Sequence, residues 1–335
     1  MNKQYLLKKV KEFGNYRYMG LLIGLLAIVV VSAILTPAMF TFDSISAMLR
    51  NNSIYAILAL GMVIILITGG IDLSVAPTLA LAGVISSMLM VNNPGVPTFV
   101  WVLVSIAIGS LCGFINGFLI GKLNMIPLIV TLATMYIYRG LAYLISDAKW
   151  FFPASFPDKF TVISQGKFLG IFNIVWIVVV LFSLMAVFLA FTKAGRRIYA
   201  IGTNSESARV TGINVGNIKI YAYVICGALA GLAGMLYAAN YSLCNYDIAQ
   251  GNEMQAIAIC ILGGVSITGG KGRIDGVVIS VIIMSFIGYF ISLLPNMSVW
   301  QDAIQGLIII IAVGINLFTG KLAWDRTLLE RGKRI

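Results

Sequence analysis

A few polar side chains interrupt the long apolar stretches of this chain, and they are the residues on which chemistry could depend. Asp72 follows a pair of glycines, and Asn116 lies in the middle of an apolar run. Thr131 and Thr134 are one helical turn apart, so they could share a face. Polar groups are expensive inside hydrocarbon and usually mark a functional site or an interhelical bond. The candidates for a substrate pathway are Gly69, Gly70, Asp72, Asn116, Thr131 and Thr134.

Each of these residues also has a structural interpretation. The Asp72 carboxylate could cap the following helix by accepting bonds from its free N–H groups. Alternatively, it could gate a cavity where the Gly69-Gly70 break unwinds the backbone. The Asn116 amide could bond a solute hydroxyl or a neighbouring helix. Residue types alone leave both pairs of interpretations open.

Catalytic and cofactor chemistry finds no support in the residue types. The chain has no histidine, which excludes Ser-His-Asp and Cys-His catalysis and histidine metal sites. Its four cysteines show no Cys-x-x-Cys or metal-ligand spacing. The nearest fragment of a phosphate loop, Thr268 to Gly272, lacks the first glycine and the hydroxyl that such a loop requires. We therefore predict no catalytic residue, metal or cofactor in this chain; if ATP drives it, a partner must supply the ATPase.

The elements that position the polar residues follow from composition. Hydrophobic residues make up 60% of the chain and charged residues only 10%, with a mean hydropathy of +0.97. Soluble domains carry about 25% charged residues, so lipid must be the solvent for most of this protein. A helical span needs roughly 20 apolar residues, which leaves room for about ten spans. The predicted fold is an all-α polytopic membrane protein with spans at 18–37, 50–68, 73–91, 98–121, 126–146, 169–192, 218–241, 252–269, 274–294 and 299–319.

The distribution of basic residues predicts the topology. If both termini lie inside, most of the 23 Lys and Arg residues fall on the inner side, as the positive-inside rule expects. We therefore predict an N-in, C-in arrangement. Its parts are an inner N-terminal segment 1–17, a transmembrane domain 18–320 with an inner connecting segment 193–217, and an inner basic tail 321–335.

Glycines form stripes within the predicted spans. Gly109, Gly113, Gly117 and Gly121 recur every four residues, and Gly227, Gly231 and Gly234 form a shorter stripe. Small residues let membrane helices approach closely. The stripes predict a close helix crossing, which serves either tight packing alone or a sliding movement.

One four-residue motif that occurs twice suggests an internal repeat. The residues Ile-Thr-Gly-Gly occur at 67–70 and again at 267–270, and an Ile-Asp pair follows each of them. Transporters often contain internal structural repeats, although a match of this length also arises by chance.

The inner segment 193–217 carries helix signals that a simple turn does not need. We interpret Thr203-x-x-Glu206 as a capping box that opens a short helix ending at Gly212. A short capped helix between two spans predicts a contact surface for another protein. The residues assigned to it are Asn204, Ser205, Glu206, Ala208, Arg209 and Gly212.

The longest outer segment, 147–168, is rich in aromatic residues near its start. It is either an aromatic belt at the membrane interface or a docking surface for a soluble solute-binding protein.

Four ordered motifs between about residues 50 and 318 resemble those of the ribose/xylose-type ABC permeases. They are the run 69–75 (GGIDLSV), the run 126–134 with Arg139-Gly140, the run 199–215 within the inner segment, and the run 253–272. The segments Ala148-Lys149-Trp150 and 299–304 are similar to the rhamnose and autoinducer-2 branch. The chain departs from the family pattern at Ala76, Thr203 and Gln255, and Gln255 leaves the solute open.

The resemblance implies a permease subunit of a binding-protein-dependent ABC importer in the bacterial inner membrane, carrying a monosaccharide or a sugar-like solute. The implied partners are a cytoplasmic ATPase that binds ATP-Mg, an extracytoplasmic solute-binding protein, and a second permease subunit, identical or related, with no nucleic acid. The inner helix would then dock on the ATPase. Two alternatives stay open: an ABC permease for nucleosides or branched-chain amino acids, and an ion-coupled secondary transporter.

Overall fold

The computed structural model of the chain describes residues 19–157 and 159–294, together with 300, 301, 303, 304, 306, 307 and 310. The predicted segments 1–17 and 321–335 and most of the predicted span 299–319 lie outside the described residues.

The described part of the chain is mainly helical. Its α-helices are α1 (Met19–Leu35), α2 (Phe42–Ile67), α3 (Val75–Asn92), α4 (Thr98–Gly121), α5 (Pro127–Ser146), α6 (Val162–Gln165), α7 (Asn173–Phe191), α8 (Lys193–Thr203), α9 (Ser205–Val210), α10 (Val215–Tyr241), α11 (Asn252–Leu262) and α12 (Ile274–Leu293). Short 3-10 helices cover Pro37–Phe40 and Pro153–Ser155. The sequence did not predict the antiparallel hairpin of β1 (Lys167–Phe168) and β2 (Ile171–Phe172), which precedes α7.

Among the described residues, seven helices are long and apolar enough to cross a membrane: α2, α3, α4, α5, α7, α10 and α12. Their positions agree with the predicted spans because apolar run length and turn residues mark helix ends well. The exception is α2, which begins at Phe42 and not at 50, because Thr41 caps a helix that starts ahead of the apolar run. The structure is therefore consistent with a helical polytopic membrane protein.

The predicted helical span 252–269 is wrong in its second half. Helix α11 has 11 residues and ends at Leu262, so it is about 16 Å long, whereas the hydrocarbon core is about 30 Å thick. Gly264 takes a φ of +79°, a conformation that favours glycine. The chain then continues without helix until Ile274.

Residues Thr41–Val281 form one compact unit with α10 at its centre. Helix α10 packs against α4, α3 and α2, and residues 56–67 of α2 are buried throughout. Helix α7, by contrast, exposes several large apolar side chains, which suits a lipid-facing helix. The described residues 19–40 and 282–294 belong to a second unit, and within it the rings of Phe40 and Phe286 lie 6.3 Å apart between centroids.

Candidate functional site

The glycine stripe of α4 lies against α10, where it meets Gly227 and Gly231, while Gly234 packs against Gly83 of α3 instead. A Cβ atom built on Gly109 would lie 2.1 Å from the carbonyl oxygen of Gly227, and one on Gly113 would lie 2.1 Å from that of Tyr223. Because the obstructing atoms belong to the backbone, no side chain could move aside to make room. The Ser105 hydroxyl donates to Gly231 O at 2.6 Å across the same contact. The predicted close crossing is confirmed; whether it slides stays a prediction.

A buried polar chain connects the loop before α3 with α4 and α5. Asp72 Oδ1 accepts bonds from Ser74 N at 2.9 Å and from Ser74 Oγ at 2.6 Å. The same Ser74 hydroxyl accepts from Asn116 Nδ2 at 2.7 Å, and Asn116 Oδ1 accepts from Tyr138 OH at 3.2 Å. Asp72 is only 2% exposed and Asn116 only 1%. We call Asp72, Ser74, Asn116 and Tyr138 the polar cluster.

Further hydroxyls hold the backbone beside this cluster. Tyr223 OH donates to Ile71 O at 3.1 Å, and Thr131 Oγ1 lies 3.3 Å from the same oxygen. These bonds satisfy a carbonyl in the non-helical stretch between α2 and α3, where the backbone cannot bond to itself. Thr134 is buried, and its hydroxyl donates to Val130 O of its own helix at 3.0 Å.

Of the residues predicted for a pathway, the structure brings Asp72 and Asn116 into one cluster, with Thr131 beside it. Asp72 Oδ1 accepts from the N–H and hydroxyl of Ser74, the residue before α3, but α3 has no side-chain cap bond, so the cap and the gate both stay predictions. Sequence reasoning missed Ser74, Tyr138 and Tyr223. Ser74 could have been found locally, because an aspartate often bonds the N–H two residues on; the tyrosines act over long sequence separations and leave no local signal.

Helix α9 occupies the predicted place, but its cap is different. Asn204, not Thr203, is the N-cap, because Asn204 Oδ1 accepts from Ser207 N at 2.8 Å. Thr203 is the last residue of α8, and its hydroxyl donates to Tyr199 O. At the other end Gly212 has a φ of +81°, and Ile213 N donates to Ala208 O at 3.0 Å, which is the Schellman arrangement.

One assignment on α9 does not fit the structure. Ala208 is only 4% exposed and packs within the chain, so it cannot lie flush against a partner as predicted. The residues around it, Asn204, Ser205, Glu206, Arg209 and Gly212, are exposed. Val210, which the sequence analysis overlooked, is 86% exposed. An apolar side chain at that exposure on a stiff, capped helix suits a protein contact.

The C-terminal end of α8 lies against both Ile-Thr-Gly-Gly turns. Gly270 N donates to Ile67 O at 2.9 Å, which joins the two turns directly. A Cβ built on Gly202 would lie 1.7 Å from Ile67 O and 2.6 Å from Gly270 N. We call Gly202 with the turns at 67–70 and 267–270 the glycine joint. It connects the segment that carries α9 to the loop that leads into Asp72.

Residues 147–168, predicted as the outer segment, and α2 are both tied to the C-terminal end of α10. Gln165 Nε2 donates to Ala239 O at 3.0 Å, and Arg50 Nε donates to Asn240 Oδ1 at 2.7 Å, so both hold the C-terminal end of α10. Trp150 and Phe152 are exposed and stack with their ring centroids 6.1 Å apart. Both predicted roles of residues 147–168 remain compatible with this arrangement.

Comparison with known proteins decides the family. A family model described as a branched-chain amino acid transport system permease component matches residues 44–313. The chain belongs to this permease family.

Curated relatives align with the permease over nearly its whole length. The ribose import permease protein RbsC of Escherichia coli K12 is 35% identical over 87% of this chain and 91% of its own. RbsC of Bacillus subtilis is 35% identical over 91% and 94%. The autoinducer 2 import system permease protein LsrC of Photorhabdus laumondii is 31% identical over 97% and 95%. No solved structure matches the chain.

Membership in this family makes the permease a transport subunit and a multi-pass protein of the inner membrane, in agreement with the seven long apolar helices found among the described residues. The resemblance read from the sequence motifs is thereby confirmed. It also indicates that the polar cluster and the glycine joint belong to a transport protein rather than to an enzyme.

Proposed function

We propose that this permease forms the membrane pathway of a binding-protein-dependent ABC importer for a monosaccharide or a sugar-like small solute. The observation that carries the proposal is the near full-length alignment with import permeases named for ribose and autoinducer 2. Its partners would be a cytoplasmic ATPase that binds ATP-Mg, an extracytoplasmic solute-binding protein and a second permease subunit. The domain organisation would be 1–17 inside, a transmembrane domain 18–320, and 321–335 inside.

The proposed topology is N-in and C-in with ten crossings, one of which is a broken helix. Cys260 Sγ donates to Ala59 O at 3.2 Å, near the middle of α2, and Gly270 N donates to Ile67 O, where α2 ends. The stretch 260–270 thus advances beside α2, which supports a crossing that α11 and the non-helical residues after it would make together. Contact between the two Ile-Thr-Gly-Gly turns supports an internal repeat, although one turn ends a long helix and the other lies in a loop.

The proposed coupling element is α9, docking on the ATPase through its exposed face. This chain contains no phosphate loop, so force must arrive through a protein contact. Glu206 and Arg209 would fix orientation as rim charges, and Val210 would be the apolar anchor. The glycine joint would pass the movement from α8 to the turn at Gly69-Gly70 and so to the polar cluster.

Replacing Val210 by Glu tests this contact. Because the side chain is almost fully exposed, we expect the variant to fold normally but to bind the ATPase about tenfold more weakly, since a charge replaces an apolar anchor. Co-purification and uptake measure the effect. The matched control is Val162→Glu, an exposed valine in the outer segment. Equal ATPase binding by both variants would contradict the proposed contact.

Asn116 tests whether the polar cluster takes part in transport. Asn116→Ala removes the amide that bonds both Ser74 and Tyr138, so we expect stability to fall by about 1–3 kcal/mol. If the cluster lies on the pathway, kcat/KM for uptake per folded molecule falls about tenfold as well. The control is Ser110→Ala on the same helix, because that hydroxyl bonds only a carbonyl of its own helix, Ile106 O. Lower stability with unchanged uptake per folded molecule assigns Asn116 a structural role alone.

Reconstitution tests the function as a whole. In vesicles, uptake of a labelled monosaccharide should require ATP, the ATPase and the solute-binding protein together. Uptake by the chain alone, driven by an ion gradient, would show a secondary transporter instead. ATP-dependent uptake of a nucleoside or a branched-chain amino acid, without any sugar, would overturn the proposed substrate class.

A further inference from the structure

A basic cleft lies where α7 ends and α8 begins, apart from the polar cluster and the exposed face of α9. Its lining residues are Lys193, Arg196, Arg197, Ala200 and Ile213, around a volume of about 280 Å³. All three basic residues are exposed, and no acidic side chain is among the described residues that line the cleft. Three cations that share a cleft without a counter-ion create a site for an anionic group of small size.

The end of α7 shapes this cleft. Thr192 Oγ1 donates to Phe188 O at 2.6 Å and accepts from Gly195 N at 3.0 Å, which holds α8 in a sharp turn away from α7. A Cβ on Gly195 would lie 2.5 Å from Phe188 O, so the two helices touch at this corner. Arg196 Nη1 donates to Phe191 O at 3.2 Å, so its guanidinium lies over the last residue of α7.

An exposed apolar stripe on α7 ends at Phe191, whose carbonyl oxygen accepts from Arg196 of the cleft. Leu184, Val187 and Phe191 follow at helical spacing on α7, and Phe191 is 76% exposed. This stripe covers about 10 Å of helix and ends one residue before the corner at Thr192. A ligand that covers both the basic cleft and the apolar stripe must combine an anionic head with an apolar chain.

We propose that this corner binds the headgroup of an anionic phospholipid, with its phosphodiester between Lys193, Arg196 and Arg197 and an acyl chain along the exposed stripe of α7. Arginine side chains suit phosphate because their forked N–H groups can bond two of its oxygens. Ala200 and Ile213 provide apolar walls for the glycerol end of the headgroup. Continuity with the stripe favours a lipid over free phosphate, which would use the cations alone, and over an acidic protein surface, which would leave the stripe uncovered.

Native mass spectrometry of the purified full-length permease, without its ATPase, tests the proposal. The probes are phosphatidylglycerol, phosphatidylcholine and inorganic phosphate. We expect phosphatidylglycerol to be retained in preference to phosphatidylcholine. The triple variant Lys193→Gln, Arg196→Gln, Arg197→Gln should lose about 100-fold in apparent affinity, since each basic residue near an anionic lipid contributes roughly fivefold.

The matched control removes the same number of exposed charges elsewhere, through Lys122→Gln, Lys159→Gln and Lys271→Gln. Both variants should melt like the wild type in neutral detergent, because none of the changed side chains is buried.

Equal retention of phosphatidylglycerol by the two triple variants overturns the proposal. Displacement by millimolar inorganic phosphate also overturns it, in favour of a free phosphate site. Co-purification with the ATPase is measured in parallel: if the first variant retains lipid like the wild type and loses only ATPase binding, the cleft is a protein contact and the lipid assignment is wrong.

Discussion

Gly109→Ala is expected to destabilise the permease more than almost any other change of a single methyl group. The added Cβ would lie 2.1 Å from Gly227 O and 2.8 Å from both the nitrogen and the Cα of Gly231. Since these are backbone atoms of a buried helix, α4 and α10 would have to separate along their whole crossing. The Ser105 to Gly231 bond and the packing of the α4 stripe against Gly227 and Gly231 would be lost together. We expect a loss of about 3 kcal/mol or more in the free energy of unfolding, measured by thermal unfolding in detergent.

Gly140→Ala is the matched control. Gly140 is also inside a membrane helix, α5, but a Cβ there meets no atom within 4 Å. Alanine favours helix more than glycine does, by about 1 kcal/mol, so this variant should be neutral or slightly more stable. The two substitutions are chemically identical, but their effects on the free energy of unfolding should differ in sign. If they change the melting temperature alike, the crossing of α4 and α10 is not as close as the structure shows.

The second large effect is expected at the glycine joint. In Gly202→Val the new side chain would occupy the space of the bond between Gly270 N and Ile67 O, because its Cβ alone would lie 1.7 Å from that oxygen. The joint would have to open, while the exposed face of α9, with Val210, would remain. We therefore expect ATPase binding to persist and uptake to fall by about 100-fold, which separates coupling from docking.

Three measurements on one preparation check this expectation: co-purification of the ATPase, ATP hydrolysis and solute uptake. Val210→Glu should show the opposite pattern, with weak association as the primary defect. Gly140→Ala should behave as wild type in all three. Normal uptake by Gly202→Val would rule out the glycine joint as the route of coupling, and complete loss of the folded protein would show that the joint serves stability first. Gly202→Ala then separates coupling from stability, because it brings the same Cβ clash without the two methyl groups of valine: a folded variant with low uptake supports coupling, and an unfolded one supports stability.

Much about this protein follows from the sequence alone. The scarcity of charge requires lipid as its solvent, and apolar run length places the helices; the predicted span 98–121 coincides with Thr98–Gly121. The spacing of small residues predicted the glycine crossing. Residues four apart in a helix lie on the same face, so the sequence alone shows which helix face is made of small residues. Gly212 marked a helix end for a similar reason: the residue after a helix often takes a left-handed backbone conformation, which favours glycine and so is visible in the local sequence.

Tertiary structure decided what depends on partners far away in the chain. The apolar run 252–269 has the length of a span, yet its helix ends at Leu262. Beyond it Gly270 N donates to Ile67 O of a distant segment, and composition cannot predict such a long-range backbone bond. The joint brings together glycines about 200 residues apart, and the polar cluster recruits Tyr138 from a different helix than Asn116. Ala208 and Val210 are neighbours on one short helix, and only packing against the rest of the chain buries the first and exposes the second. Residue type limits what a side chain can do, but long-range packing determines which atoms it meets.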